Sequence, residues 1–163
     1  MISVFYGTRP EYIKVFSLYT KLKSAGLPVE LVQVQQHTTL IDDCYFDRLV
    51  CVDCQTKNRL NQIVCSCMSS DVFLENTSLV VVQGDTSTAF GIGLNAFHSK
   101  IPIAHIEAGL RTYDTNNPYP EEAYRRFLSV VSDYNFCVTK SNVEALRAEK
   151  VVGKIYCVGK YCV

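Results

Sequence analysis

The chain has 163 residues, 48% of them hydrophobic and 20% charged, which suits one packed domain and excludes a disordered one. Its 16 basic side chains balance 16 acidic ones, so the formal net charge of +0 excludes a general electrostatic pull toward nucleic acid or acidic membranes. No run approaches the roughly 18 apolar residues that a membrane span needs.

In chain order, Met1–Tyr6 opens directly on a strand pattern, with no basic leader and no apolar signal region, which predicts a cytoplasmic protein. Gly7-Thr8-Arg9-Pro10 reads as a turn that leads into a helix, with Pro10 in the first helical turn, where its missing N–H costs nothing. Ile13, Phe16, Leu18 and Leu22 carry an approximate helical stripe that ends near Gly26. Val29 to Gln35 reads as a second strand, after which Leu40 to Leu49 and Leu60 to Leu74 read as helices. Leu79-Val80-Val81-Val82-Gln83 is apolar almost throughout, as a strand covered on both faces should be. A small-residue helix with Ala89, Gly91, Gly93 and Ala96 follows, and these residues predict close packing on the sheet. Ile101 to Ile106, Tyr134 to Val138 and Ile155 to Val158 read as further strands, and Pro120 to Val131 and Ser141 to Lys150 as helices. The alternation predicts an α/β fold, a Rossmann-like doubly wound parallel sheet, over residues 1–163. The final strand and its Gly159 turn read as a domain whose continuation lies outside the chain.

Eight cysteines are many for this length. Cys44, Cys51, Cys54, Cys65 and Cys67 include a C-x-x-C and a C-x-C, but they lack the glycine-containing knuckle of zinc ribbons. Reduced, buried thiols are therefore expected in preference to structural zinc or disulfides.

Charged residues gather after three of the strands, where open α/β sheets place their ligand crevice. Arg9 sits at the start of the first helix, a natural anion site, and Lys14 lies about one turn further on. No G-x-G-x-x-G is present, so the dinucleotide fingerprint is missing. Asp85 follows the central strand; it reads either as a cap for the next helix or as a catalytic carboxylate. Glu107 and Glu121 complete a set of three carboxylates, accompanied by His105, Arg111 and Arg125. Carboxylates that share a partly dry crevice acquire separated pKa values, so that one acts as acid and another as base. Glu122 reads as a surface ion pair or a helix cap. Gln36 and His37 end the second strand with polar groups suited to a sugar or a base.

Together these segments resemble the non-hydrolysing UDP-N-acetylglucosamine 2-epimerase family. The resemblance rests on Phe5-Tyr6-Gly7-Thr8-Arg9-Pro10-Glu11-Tyr12-Ile13-Lys14, Gln36-His37, Val82-Gln83-Gly84-Asp85-Thr86-Ser87-Thr88, His105-Ile106-Glu107-Ala108-Gly109-Leu110-Arg111-Thr112 and Pro118-Tyr119-Pro120-Glu121-Glu122-Ala123-Tyr124-Arg125, in the family's order. It implies one half of a GT-B-type two-domain fold, here the N-terminal Rossmann-like domain without the C-terminal UDP-binding domain. It also implies interconversion of UDP-GlcNAc and UDP-ManNAc by elimination and re-addition of UDP, with no cofactor and no metal. On this resemblance Asp85, Glu107 and Glu121 match acid/base carboxylates and Arg9 and Lys14 match active-site cations. Gln36, His37, Arg111 and Arg125 line the substrate side. The pattern departs at Thr38, where the family has Arg, and at Lys160-Tyr161, where it has Asn-Thr. Three readings follow: an epimerase completed by a second copy or a separately encoded C-terminal half, an inactive UDP-sugar-binding or interaction module, and a glycosyltransferase half-domain. The carboxylate set favours the first.

Overall fold

The computed structural model describes residues 1–35, 44–69 and 72–159. Its strands are β1 (Ile2–Tyr6), β2 (Val29–Gln35), β3 (Arg48–Cys51), β4 (Leu79–Gln83), β5 (Ile103–Ala108), β6 (Tyr134–Cys137) and β7 (Lys154–Cys157). The helices are α1 (Arg9–Ser24), α2 (Arg59–Cys67), α3 (Ser87–His98), α4 (Glu121–Val131) and α5 (Lys140–Ala148). The strands form one sheet in the order β3-β2-β1-β4-β5-β6-β7, and every pairing is parallel. The order reverses between β1 and β4, and that switch point opens the crevice of a doubly wound sheet at the strands' carboxyl ends.

Alternation along each strand sends side chains to two cores. Phe5, Val32, Val34, Val80, Val82 and Ile103 meet Ile63, Cys67, Ile92, Ala96 and Leu128 of the helices on one face. Val4, Tyr6, Leu31, Val81, Ala104 and Ile106 meet Val15 and Tyr19 of α1 on the other. The glycines of α3 do allow close approach, but to flanking helices and not to the sheet. A Cβ on Gly91 would stand 2.7 Å from the Cβ of Cys67 in α2, and one on Gly93 would stand 2.5 Å from Cδ2 of Leu128 in α4.

Two expectations are corrected. Within the span read as a helix from Leu40 to Leu49, Arg48 begins an edge strand beside β2, and residues 40–43 lie outside the described residues. The reason is period-two alternation: Leu49 is exposed while its neighbour Val50 packs against the core. Asp47 fixes the entry, its N–H donating to the Leu31 carbonyl at 2.9 Å and its carboxylate accepting from the Leu31 N–H at 2.8 Å. The thiols are not all reduced either, because Cys54 and Cys65 form a disulfide. The fold brings the loop after β3 across α2, where the Cys54 N–H also donates to Ser66 Oγ.

Candidate active site

Three strand-to-helix turns meet at the switch point. In the first, Thr8 caps α1, and Glu11 folds back in a capping box to accept from the Thr8 N–H at 2.7 Å and the Gly7 N–H at 2.9 Å. Arg9 projects from this turn, exposed, with no ion pair or hydrogen bond among the described residues. One turn on, Lys14 reaches across to Glu107 Oε2 at 2.6 Å.

The second turn follows β4. Gly84 takes φ +70°, a conformation costly for any side chain. The capping role open to Asp85 falls instead to Thr86, whose hydroxyl accepts from the Ala89 N–H at 3.1 Å. Asp85 is thereby released to meet the Arg125 Nη2 at 2.5 Å. Burial raises the Asp85 carboxyl above its ordinary pKa; the Arg125 guanidinium opposes this, and the charges of Glu121 and Glu107 add to it.

At the third turn β5 bulges between Ile106 and Ala108, and Glu107 sits at φ +66°. A left-handed conformation is strained for a residue with a Cβ, and a bulge re-aims the side chain it carries. Here it turns Glu107 back over the switch point, where the Gln83 amide donates to Oε2 beside Lys14.

The start of α4 closes the group. Glu121 holds one buried carboxylate oxygen, Oε2, with no hydrogen-bond partner among the described residues. Glu122 is neither a surface ion pair nor a cap. It is fully buried and accepts from the Thr112 and Tyr113 N–H groups at 3.0 and 3.1 Å, because the phase of α4 turns it inward. Arg125 lies 3.4 Å from it, so this guanidinium bridges Glu122 and Asp85. Arg111 is turned into the fold: it pairs with both oxygens of Glu149, at 2.9 and 2.8 Å, and donates to Ser129 Oγ at 2.9 Å, with 2% of its side chain exposed. His105 is wholly buried and its Nε2 donates to the Gly84 carbonyl at 2.7 Å. Burial pushes its pKa down to about 4, with Arg111 and Arg125 adding to the shift.

The structure thus brings Asp85, Glu107, Glu121, Lys14 and Arg125 together and leaves Arg9 at the rim. Gln36, His37 and Thr38 lie outside the described residues. Sequence reasoning missed Gln83, Glu11 and Glu122 as parts of the arrangement; the first follows from its place at the end of β4, but the other two needed the helix phases.

A Rossmann-like parallel sheet with carboxylates and cations gathered at its switch point defines this as an α/β protein with a polar crevice. The chain belongs to the UDP-N-acetylglucosamine 2-epimerase family, whose model matches residues 27–163. It is 41% identical to a Thermotoga maritima relative provisionally named UDP-N-acetylglucosamine 2-epimerase, over 98% of this chain and 44% of that one. The chain therefore spans under half the length of the curated relatives it matches. Among solved structures, the UDP-GlcNAc 2-epimerase from Neisseria meningitidis bound to UDP-GlcNAc superposes with a TM-score of 0.85 at 35% identity, over 96% of this chain and 45% of that one. MurG from Acinetobacter baumannii, at 15% identity and a TM-score of 0.57 over 86% of this chain and 41% of that one, shares the GT-B-type half-fold alone.

Proposed function

We propose that this chain supplies the acid/base wall of a UDP-N-acetylglucosamine 2-epimerase. The observation that carries the reading is the convergence of Asp85, Glu107 and Glu121 with Lys14 and Arg125 at one switch point. In the proposed reaction a carboxylate takes the C2 proton while the C1–O bond breaks and UDP departs, leaving a 2-acetamidoglucal. UDP then adds back at C1 as a second carboxyl returns a proton to the other face of C2. Such a step needs a base, an acid and cations aimed at the departing diphosphate. Arg9, at the helix N-terminus, and Lys14 suit the diphosphate; Gln36 and His37 are assigned to the substrate on the family resemblance alone. Arg125 acts through Asp85, and Arg111 through the loop it fastens.

On this reading the chain is the N-terminal domain of a two-domain enzyme of the cytoplasm. Its crevice is completed by a UDP-binding half from a second copy or a separate chain, since one wall neither excludes water nor fixes a near-attack geometry. Among the described residues no helix is long and apolar enough to cross a membrane. A second reading is a UDP-sugar-binding module without turnover, in which the Lys14–Glu107 and Asp85–Arg125 ion pairs serve to hold the crevice and not to move protons. Incubation with UDP-GlcNAc in deuterated water, followed by NMR at C2, separates the two. Deuterium at C2, abolished by Asp85→Asn and Glu107→Gln, is the expected result. Binding of UDP-GlcNAc with no exchange at any chain concentration would establish the module instead.

A further inference from the structure

We propose that Glu11 is a positioning residue that latches the β1–α1 turn to the β4–α3 turn and so sets the separation between Lys14 and Asp85. The value of that separation rests on the site reading above, whereas the latch rests on contacts alone. The parallel ladder between β1 and β4 runs from Ile2 and Leu79 to Val4 and Val81, two residues short of each strand's end. Beyond it β1 stays paired with β2 and β4 with β5, but among the described residues the two turns have no backbone pairing with each other.

Glu11 spans that gap. It is 3% exposed. One carboxylate oxygen, Oε2, accepts from the Gly7 N–H, the Thr8 N–H and the Thr8 hydroxyl at 2.9, 2.7 and 2.8 Å. A capping box asks no more than this of its glutamate. The other oxygen, Oε1, accepts from the hydroxyl of Thr86 at 2.7 Å, on a turn 75 residues away in sequence. The same Thr86 oxygen accepts from the Ala89 N–H and so begins α3. One carboxylate therefore joins the N-termini of two helices on opposite faces of the sheet. Lys14 follows Glu11 by one turn of α1, and Asp85 precedes Thr86 by one residue. A shift between the turns separates the Lys14–Glu107 pair from the Asp85–Arg125 pair. A carboxylate this deep is costly without partners, and here its donors come from both turns.

Backbone amide exchange on the chain without substrate tests the latch. In Glu11→Gln a single amide oxygen cannot accept on both sides. The expected result is about tenfold faster exchange at Gly7 and Thr8 or at Ala89, with the chemical shift of the Asp85 amide displaced. Thr86→Val is expected to speed exchange across the crevice at Gly7 and Thr8, while Thr86→Ser, which keeps the hydroxyl, restores it. Should Glu11→Gln not fold, the Thr86 pair decides alone. Exchange that changes only within the substituted turn, with the opposite turn unmoved in every variant, would overturn the latch and leave Glu11 a cap of α1. If the wild-type chain deuterates C2 of UDP-GlcNAc, Glu11→Gln is expected to lower kcat about tenfold with KM little changed. Wild-type failure to deuterate C2 would sink the epimerase reading alone, because amide exchange needs no substrate.

Discussion

The charged residues of this chain divide by what their partners leave open. Lys14 and Glu107 are each about a third exposed and face the crevice, whereas Arg111 is buried in the fold and held there by a Glu149 that is 24% exposed. Removing one partner of a buried pair leaves a charge without compensation, while replacing both by apolar groups costs far less. Glu149→Ala is therefore expected to cost about 3 kcal/mol in urea denaturation, and Arg111→Met with Glu149→Leu clearly less; equal losses would show that the packing, not the charge, holds the loop. His105 gives a pH dependence of definite sign. Its native pKa of about 4 lies below the ordinary 6.5, so between those values the unfolded chain binds a proton that the native state refuses. Stability is then whole above pH 6.5 and falls by about 3 kcal/mol as pH drops toward 4. His105→Gln, whose amide can still donate to the Gly84 carbonyl, should lose that extra acid sensitivity; parallel stability-against-pH curves for the two proteins would refute the assignment. The sequence singles out Asp85, Glu107, Glu121, Lys14 and Arg125 as candidates, which the structure brings together, but it does not give their contacts. Asp85 and Thr86 are both good cap residues one position apart, and only the turn geometry gives the cap to Thr86. Glu121 and Glu122 differ by one step of helix phase, which decides that Glu122 is the fully buried one.

Among elements, the strands with continuous apolar runs were readable because a parallel sheet buries both faces and leaves no ambiguity of period. Edge strand β3 was misread for the opposite reason: four residues, alternately exposed, carry too little pattern to compete with the apolar residues on either side of them. The glycines of α3 show a similar limit, since small residues announce close approach without saying to what. Their environments predict different outcomes for the same substitution. Alanine in a helix interior gains about 1 kcal/mol over glycine, and overpacking a tight core costs about 1–3 kcal/mol. At Gly91 the new methyl meets the Cβ of Cys67 and, at 3.2 Å, the Cα of Val64, so α2 itself must move. At Gly93 it meets the far end of the Leu128 side chain, which can change rotamer. Thermal unfolding should therefore place Gly91→Ala below wild type by about 1–2 kcal/mol and Gly93→Ala near it. The reverse order would mean that Leu128, fully buried, yields less readily than a helix.

The molecule as a whole is covered unevenly. Helices α2, α3 and α4 contribute to the core on one face of the sheet, while among the described residues α1 is the one helix packed on the other, over β1, β2 and β4. Beside α1, an apolar groove of about 320 Å³ lies open between Leu18, Leu22, Val81, Ile106 and Phe136. The doubly wound order was legible from the alternation of elements, but this imbalance was not, since it depends on the hand of each crossover and on how far each helix reaches. An all-parallel sheet is normally buried on both faces, and apolar area left in water costs about 25 cal/mol per Å². The crevice wall adds a second unshielded surface, with exposed Arg9 at its rim. With a net charge of +0, long-range repulsion does not hold copies apart. These features together predict that the chain self-associates. Sedimentation velocity over a wide range of concentration should show a weight-average mass rising above the 18.3 kDa of one chain. If the crevice drives the association, UDP-GlcNAc should shift the equilibrium, because a ligand that bridges two walls stabilises the paired state by mass action. If the apolar groove drives it, Leu22→Glu should abolish it while UDP-GlcNAc leaves it unchanged. A single species of one-chain mass at every concentration, with and without the nucleotide sugar, would refute self-association.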